Sequence, residues 1–344
     1  MSKAVVIPCL PVTLLFGFNL KAGLMAIIMM IASLLTAAGQ KTENEILSMP
    51  DDTAKVNRLL GLGEKYCSIE NDKALSYLQE AFTIATTENY TKGIGRSLLW
   101  QGRVYYYKDD YKLADKYFSL AESALNGSGD RESMVLLSFF RGELCKLRGD
   151  YINAINHYTD VLELTRLVPN KVISSTSYSS IGTIMLLRND PEKALGYFRE
   201  ALRQKKEIDD RYGIASVMSQ IGKAYEDLAV YDSSLNYYHE ALEIREEMKA
   251  SRVIASSKYD MGGLLILLED YDEAIKYLED ARKRYEELEE KTGVCISNYL
   301  LAKALDAQGS PRGLALAMNT QQLAARLHNP DLVSRGYSIL ADIY

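Results

Sequence analysis

The sequence predicts an all-α fold: about seven antiparallel helix pairs stacked into a solenoid, with an eighth begun. Three observations carry this. Residues recur in one register every 40 positions. Within each period, small and large apolar side chains fall at helical spacing on both sides of a turn. No run of alternating β-branched residues between turn clusters reads as a strand.

The period is checked by stepping from Tyr231. The same position is held by Asn71, Tyr111, Tyr151, Pro191, Tyr271 and Pro311. Three residues later come Ala74, Ala114, Ala154, Ala194, Ser234, Ala274 and Leu314. Seven later come Leu78, Phe118, Tyr158, Phe198, Tyr238, Leu278 and Met318. Ten later come Ala81, Ala121, Val161, Ala201, Ala241, Ala281 and Gln321. Nine earlier stand Leu62, Gly102, Gly142, Gly182, Gly222, Gly262 and Ala302. The first repeat reads best one residue short, with Gly63 and Tyr66 as its small and aromatic pair. A small residue lets two helix backbones approach, and a large one fills the space beside it. One such pair cannot bury its own apolar face, so it needs stacked neighbours.

At these positions the chain resembles the tetratricopeptide-repeat family. Gly102, Tyr105, Ala114, Phe118 and Ala121 match its pattern in full, and Gly222, Tyr225, Ser234, Tyr238 and Ala241 depart only at Ser234. The usual repeat is roughly 34 residues long, shorter than the period here, and the closing proline is not kept. The resemblance covers about residues 55 to 344. It implies a right-handed superhelix whose first helices line a concave face. A fold of this kind hosts many partners, so it does not name one.

In chain order, residues 1–39 differ from the rest. Lys21 precedes a 17-residue uncharged stretch, Ala22 to Ala38, that ends in small residues. That layout fits a secretory signal, while its length only just reaches across a bilayer core of about 30 Å as an uncleaved anchor. A second apolar stretch, Ala4 to Leu20, is broken by Pro8 and Pro11. Residues 40–54 read as a polar linker, with Asp51, Asp52 or Thr53 starting the first helix. Repeats follow near 55–90, 95–127, 134–167, 174–208, 214–249, 254–288 and 294–327, with a partial eighth at 331–344. Gly127 and Gly129 suit a helix C-terminus, and Pro191 and Pro311 suit helix starts. The last stretch offers Ala341 and Tyr344 as its pair and leaves Ile339, Leu340 and Ile343 partly bare. Either more chain follows or this end docks.

Composition excludes several classes of function. The formal net charge is −6, and outside residues 1–39 it is −8, from 38 basic and 46 acidic residues. An acidic body argues against nucleic acid as the partner. His157, His239 and His328 show no ligand spacing, so no metal is expected. Cys9, Cys67, Cys145 and Cys295 lack short spacings and read as small hydrophobes, not a disulfide framework. Gly61-Leu62-Gly63 and Gly93-Ile94-Gly95 follow no strand and precede no Lys-Ser/Thr, so they read as packing or turn glycines and no cofactor is expected. The acid pairs Asp109-Asp110 and Asp209-Asp210 suit turns. No nucleophile has an evident base, so the chain reads as non-enzymatic.

What remains is the inner stripe of the first helices. In repeat two it is Arg96, Trp100, Arg103 and Tyr107, on one helical face. Repeat three adds Phe139, Phe140, Glu143 and Lys146. Repeats four and five offer Thr176, Ser180, Thr183, Ser216, Gln220 and Lys223, and later repeats Tyr259 and Tyr299. Two guanidiniums beside aromatics could grip a carboxylate, and the small polar residues could hold an extended peptide. The rival reading packs the aromatics between helices. Some related domains hold a carboxylate with a Lys/Asn clamp. Its positions are Leu99 and Arg103 in repeat two, and Ser179 and Thr183 in repeat four, so it is not reproduced. Two functions fit: an exported, periplasmic or membrane-anchored scaffold for a protein or peptide, or the extracytoplasmic sensory region of a larger signalling protein. In either, membrane contact is expected only through the N-terminal segment or chain beyond residue 344.

Overall fold

A computed structural model describes residues 43–343, and no strand occurs among them. The leader expected over residues 1–39 lies outside the described residues, as does Tyr344. Residues 43–47 form a short helical stretch inside the segment read as linker. Seven helix pairs follow: α1 (Thr53–Tyr66) with α2 (Asn71–Thr87), α3 (Thr91–Tyr107) with α4 (Tyr111–Leu125), and α5 (Arg131–Leu147) with α6 (Tyr151–Leu167). Next come α7 (Lys171–Leu187) with α8 (Pro191–Glu207), α9 (Arg211–Asp227) with α10 (Tyr231–Glu247), and α11 (Ser251–Leu267) with α12 (Tyr271–Glu287). The series ends with α13 (Lys291–Ala307) paired to α14 (Arg312–Arg326), then the single helix α15 (Pro330–Ile343). The chain divides after Asp130 into two compact units, holding α1–α4 and α5–α15.

The helices start and stop by one recurring device. A residue in the left-handed region closes most of them: Asn89, Asp109, Asn189, Asp209, Ala229, Lys249, Glu269, Glu289 and His328, with Gly149 and Gly309 in the same role. The chain reverses there because amides beyond the end reach back to earlier carbonyls, as Asp110 N does to Tyr105 O at 3.0 Å. The next residue often caps the following helix. Asp110 accepts from Leu113 N, Asp190 from Lys193 N and Asp210 from Gly213 N. The acid pairs at 109–110 and 209–210 are therefore a helix stop followed by a helix start. Asp52 caps α1 by accepting from Lys55 N at 2.8 Å.

Inside each pair the small residue of the first helix receives the large one of the second. A Cβ on Gly102 would sit 2.6 Å from the Phe118 ring, and one on Gly182 2.5 Å from Phe198. Gly142 meets Tyr158, Gly222 meets Tyr238 and Gly262 meets Leu278 in the same way. In the first repeat Gly63 plays this part against Leu78, one residue out of the 40-step as expected. Phe118, Tyr158 and Phe198 are fully buried, as are Ala114, Ala154, Ala194, Ala121 and Ala201. Each large side chain so enclosed contributes about 1.5–3 kcal/mol.

Two sequence expectations fail at the C-terminal end. In repeat seven the buried positions of the second helix fall one residue early relative to the 40-step, although the helix itself starts at Arg312. Gly313, Ala317 and Thr320 are buried in place of Leu314, Met318 and Gln321, and Met318 is exposed. In α15 the small buried residue is Gly336, enclosed by Gln321 and Tyr299, whereas Ala341 is exposed. Leu332 and Ile339 of this helix complete a core with Cys295, Tyr299, Ala317 and Ala324, so Ile339 is not bare.

At the other end, within the first unit, Glu43 is buried and accepts from Tyr66 and, at 2.9 Å, from Tyr77. Lys73 pairs with it at 2.9 Å and lies over the Tyr66 ring. Burial works against the Glu43 charge, but these donors outweigh it and hold its carboxyl below the usual value. Burial and the same carboxylate push the Tyr77 hydroxyl up to about 12.

Within the second unit the first helices face one another on one side. α5 approaches α7, α7 approaches α9, α11 approaches α13 and α13 approaches α15. No second helix comes this close to the next second helix. The first helices thus form the inner floor and the second helices the outer face. The approach is slackest between α9 and α11.

Candidate functional site

The stripe predicted in repeat two lies on α3, in the first unit. The bidentate grip expected of Arg96 exists, but its carboxylate is the chain's own. Nε and a terminal nitrogen of Arg96 donate to the buried Asp130 at 2.6 and 3.2 Å. Trp100 is only 6% exposed, so it packs between helices and does not face a ligand. The Arg103 guanidinium lies 4.7 Å from the Trp100 ring and 5.3 Å from the Tyr107 ring, and donates to the Tyr107 hydroxyl at 3.0 Å. Only Tyr107 of the four is exposed. Desolvation explains the outcome: at this face an indole gains more by filling the helix interface than by lining a wet groove.

In the second unit the polar residues of the stripe do come together. Glu143 on α5 is a hub, accepting from Lys146 at 2.9 Å, Tyr158 at 2.5 Å and Ser180 at 3.1 Å. Phe139 is half-buried and packs edge-on against the buried Phe140. Ser179 donates to Gln220 at 2.6 Å, and Gln220 donates to Thr183 at 3.0 Å, so α7 and α9 are laced together. Lys223 bonds Glu226 at 2.6 Å and Asp227 at 3.0 Å. Burial opposes its charge, but these two carboxylates prevail and hold its pKa above the usual value. Tyr259 is half-buried and receives a bond from Arg335 at 3.1 Å. Tyr299 is the exception, fully buried and donating to Gln321 at 2.8 Å.

One residue of this floor escaped the sequence reading. Asp260 on α11 stands 40 positions after Gln220 and 80 after Ser180, so the period itself would have found it. Burial pushes its carboxyl up to about 7; the nearby Arg245 opposes this, Glu226 adds to it, and Lys223 opposes it. It makes no hydrogen bond or ion pair among the described residues, yet keeps some contact with solvent. Beside it is Gly263, where a Cβ would meet only Leu300 at 3.5 Å. A shallow cavity of about 890 Å³ opens at the start of α11 and α13, with Arg252, Ser256, Tyr285 and Ile296 among its walls, and neither Asp260 nor Gly263 lines it.

Comparison with known proteins agrees with the fold. Tetratricopeptide-repeat family models match residues 132–207, 214–248 and 254–291. No curated protein matches the chain in sequence. Among solved structures, a Rap protein complexed with competence and sporulation factor is similar over 85% of this chain and 86% of its own, with a TM-score of 0.62 at 16% identity. The apo quorum sensor NprR from B. thuringiensis is similar over 83% and 80%, with a TM-score of 0.65 at 13% identity. A signal-transduction ATPase with a tetratricopeptide-repeat sensor, from Pyrococcus horikoshii, gives 0.68 at 14% identity, over 82% of this chain and 44% of that one. At such identities the likeness is one of fold. The matched family models make residues 132–291 a run of tetratricopeptide repeats, and the helix pairs before that run repeat the same small-into-large packing.

Proposed function

We propose that the chain is a non-catalytic scaffold that holds an extended peptide or protein segment along the floor formed by α5, α7, α9 and α11. The observation that carries this is the row of polar side chains on the first helices, with Glu143, Thr183, Gln220 and Asp260 half-buried, Ser180 buried and Lys223 exposed. Such a row offers donors and acceptors to a peptide backbone without large side chains to block it. The complex of the Rap protein with competence and sporulation factor supports the reading by analogy of fold. Export to an envelope compartment, suggested by residues 1–39, belongs to the same proposal. A sensory role within a larger protein is the second reading, favoured by the fold likeness to a quorum sensor and to an ATPase with a repeat sensor.

Photo-crosslinking in cells tests the scaffold. A photoreactive residue at Gln220, on the floor, should trap peptide or protein adducts. The same residue at Glu240, exposed on a second helix, should trap few. Equal trapping at both positions would remove the floor as the binding surface.

A further inference from the structure

Gly263 occupies a position where the other first helices carry a long or polar side chain. Its counterparts are Arg103, Glu143, Thr183, Lys223 and Lys303 at the 40-residue step and, in α1, where the register is one residue short and the step itself falls on Gly63, Glu64. Glycine within a helix costs about 1 kcal/mol against alanine, and packing does not demand it here. The neighbouring Gly262 is needed, since a Cβ there would fall 2.5 Å from Leu278. A Cβ on Gly263 would make only an ordinary contact, with Leu300 at 3.5 Å, so glycine leaves a shallow notch in the floor. The notch lies beside Leu300 of α13, and Asp260 is one turn from Gly263 on α11.

The charges around the notch are unequal. Glu226 and Asp227 on α9 and Asp260 on α11 are acidic. The neighbouring cation Lys223 is already bonded to Glu226 and Asp227. Arg245 is buried on α10, where it bonds Ser257 and the Ala215 carbonyl. Asp260 therefore has a desolvated carboxyl with no donor of its own, and desolvation without a partner is costly.

We propose that the notch beside Asp260 receives one cationic nitrogen of the bound peptide, which completes the ion pair that the fold leaves unmade. The nitrogen comes from a lysine or arginine side chain or from a free α-amino group. The proposal rests on the scaffold reading above and specifies its ligand.

The test passes two degenerate octapeptide pools over immobilised full-length chain, one N-acetylated and one with free amines. Retained peptides are sequenced by mass spectrometry. Enrichment of Lys and Arg at one position in the acetylated pool, by about tenfold as a charge-assisted hydrogen bond supplies, assigns the notch to a side chain. Enrichment of free amines over acetylated peptides assigns it to the α-amino group. Either result supports the proposal if Asp260→Asn and Gly263→Lys lose the preference while still retaining peptide. The second variant supplies an internal cation and fills the notch, and circular dichroism checks both for helicity. Peptides retained without a cationic preference, or a preference unchanged in both variants, overturn the notch and leave the scaffold standing. No retention of either pool by the native chain overturns both.

Discussion

At the residue scale, Asp260 shows how function and stability pull against each other. Its carboxyl titrates near 7 in the folded chain and near 3.8 when unperturbed. A folded value raised in this way gives a contribution that is complete below the unfolded value and lost as pH rises through about 7. The charged groups facing it are Lys223 and Glu226 from α9 and Arg245 from α10, with the tyrosines Tyr238, Tyr259 and Tyr285 around it. Asp260→Asn should therefore stabilise the chain at pH 8, on the order of 1–4 kcal/mol, and by less at pH 5. Denaturant titrations at the two pH values check this, and an equal effect at both would contradict it. Neither this residue nor the partner of Arg96 was named from sequence, for different reasons. Asp260 sits on the period and needed only one more step from Gln220. Asp130 stands on the 40-step with the caps Asn170 and Asp210, 34 residues from Arg96, but Arg96 has Leu136, Thr176 and Ser216 as its counterparts, so the pair does not recur and the period does not reveal it. Trp100 is a third case: the stripe facing the groove and the stripe facing the next pair adjoin on one helix, and only coordinates separate them.

At the scale of the element, the helix pair was legible because its key contact is local. Gly182 and Phe198 are 16 residues apart and joined by one short turn, so the small-into-large match appears in the sequence as a fixed interval. Gly182→Leu should cost on the order of 1–3 kcal/mol by overpacking against Phe198, read as a lower unfolding midpoint with unchanged helicity. The turn offers the opposite change. Ala229 holds φ at 57°, where a Cβ is strained, while Gly149 and Gly309 fill the same place in other repeats. Ala229→Gly should gain about 0.5–1 kcal/mol, and a lower melting temperature would count against the turn geometry. The slip in repeat seven was not legible. Moving α14 by one residue exchanges Leu314 for Gly313 and Met318 for Ala317 at the interface. Both registers look acceptable in a linear pattern that tolerates any apolar residue.

Within each of the two units, stability is a sum over neighbours, because a repeat touches chiefly the ones next to it in its own unit. Excision of residues 211–250 tests this. It joins Asp210 to Ser251 and lets Asp210 cap the helix of α11 as it now caps that of α9. The shortened chain should keep its ellipticity per residue and unfold cooperatively at a lower denaturant concentration. A collapse of ellipticity would mean that the repeats are not interchangeable. Left-handed joints on a twenty-residue beat, broken at Pro169, give most such cuts matching edges. Length is thus a quantity this chain can alter without redesign: accommodating a longer cargo calls for another copy, inserted between existing copies, and for no new architecture.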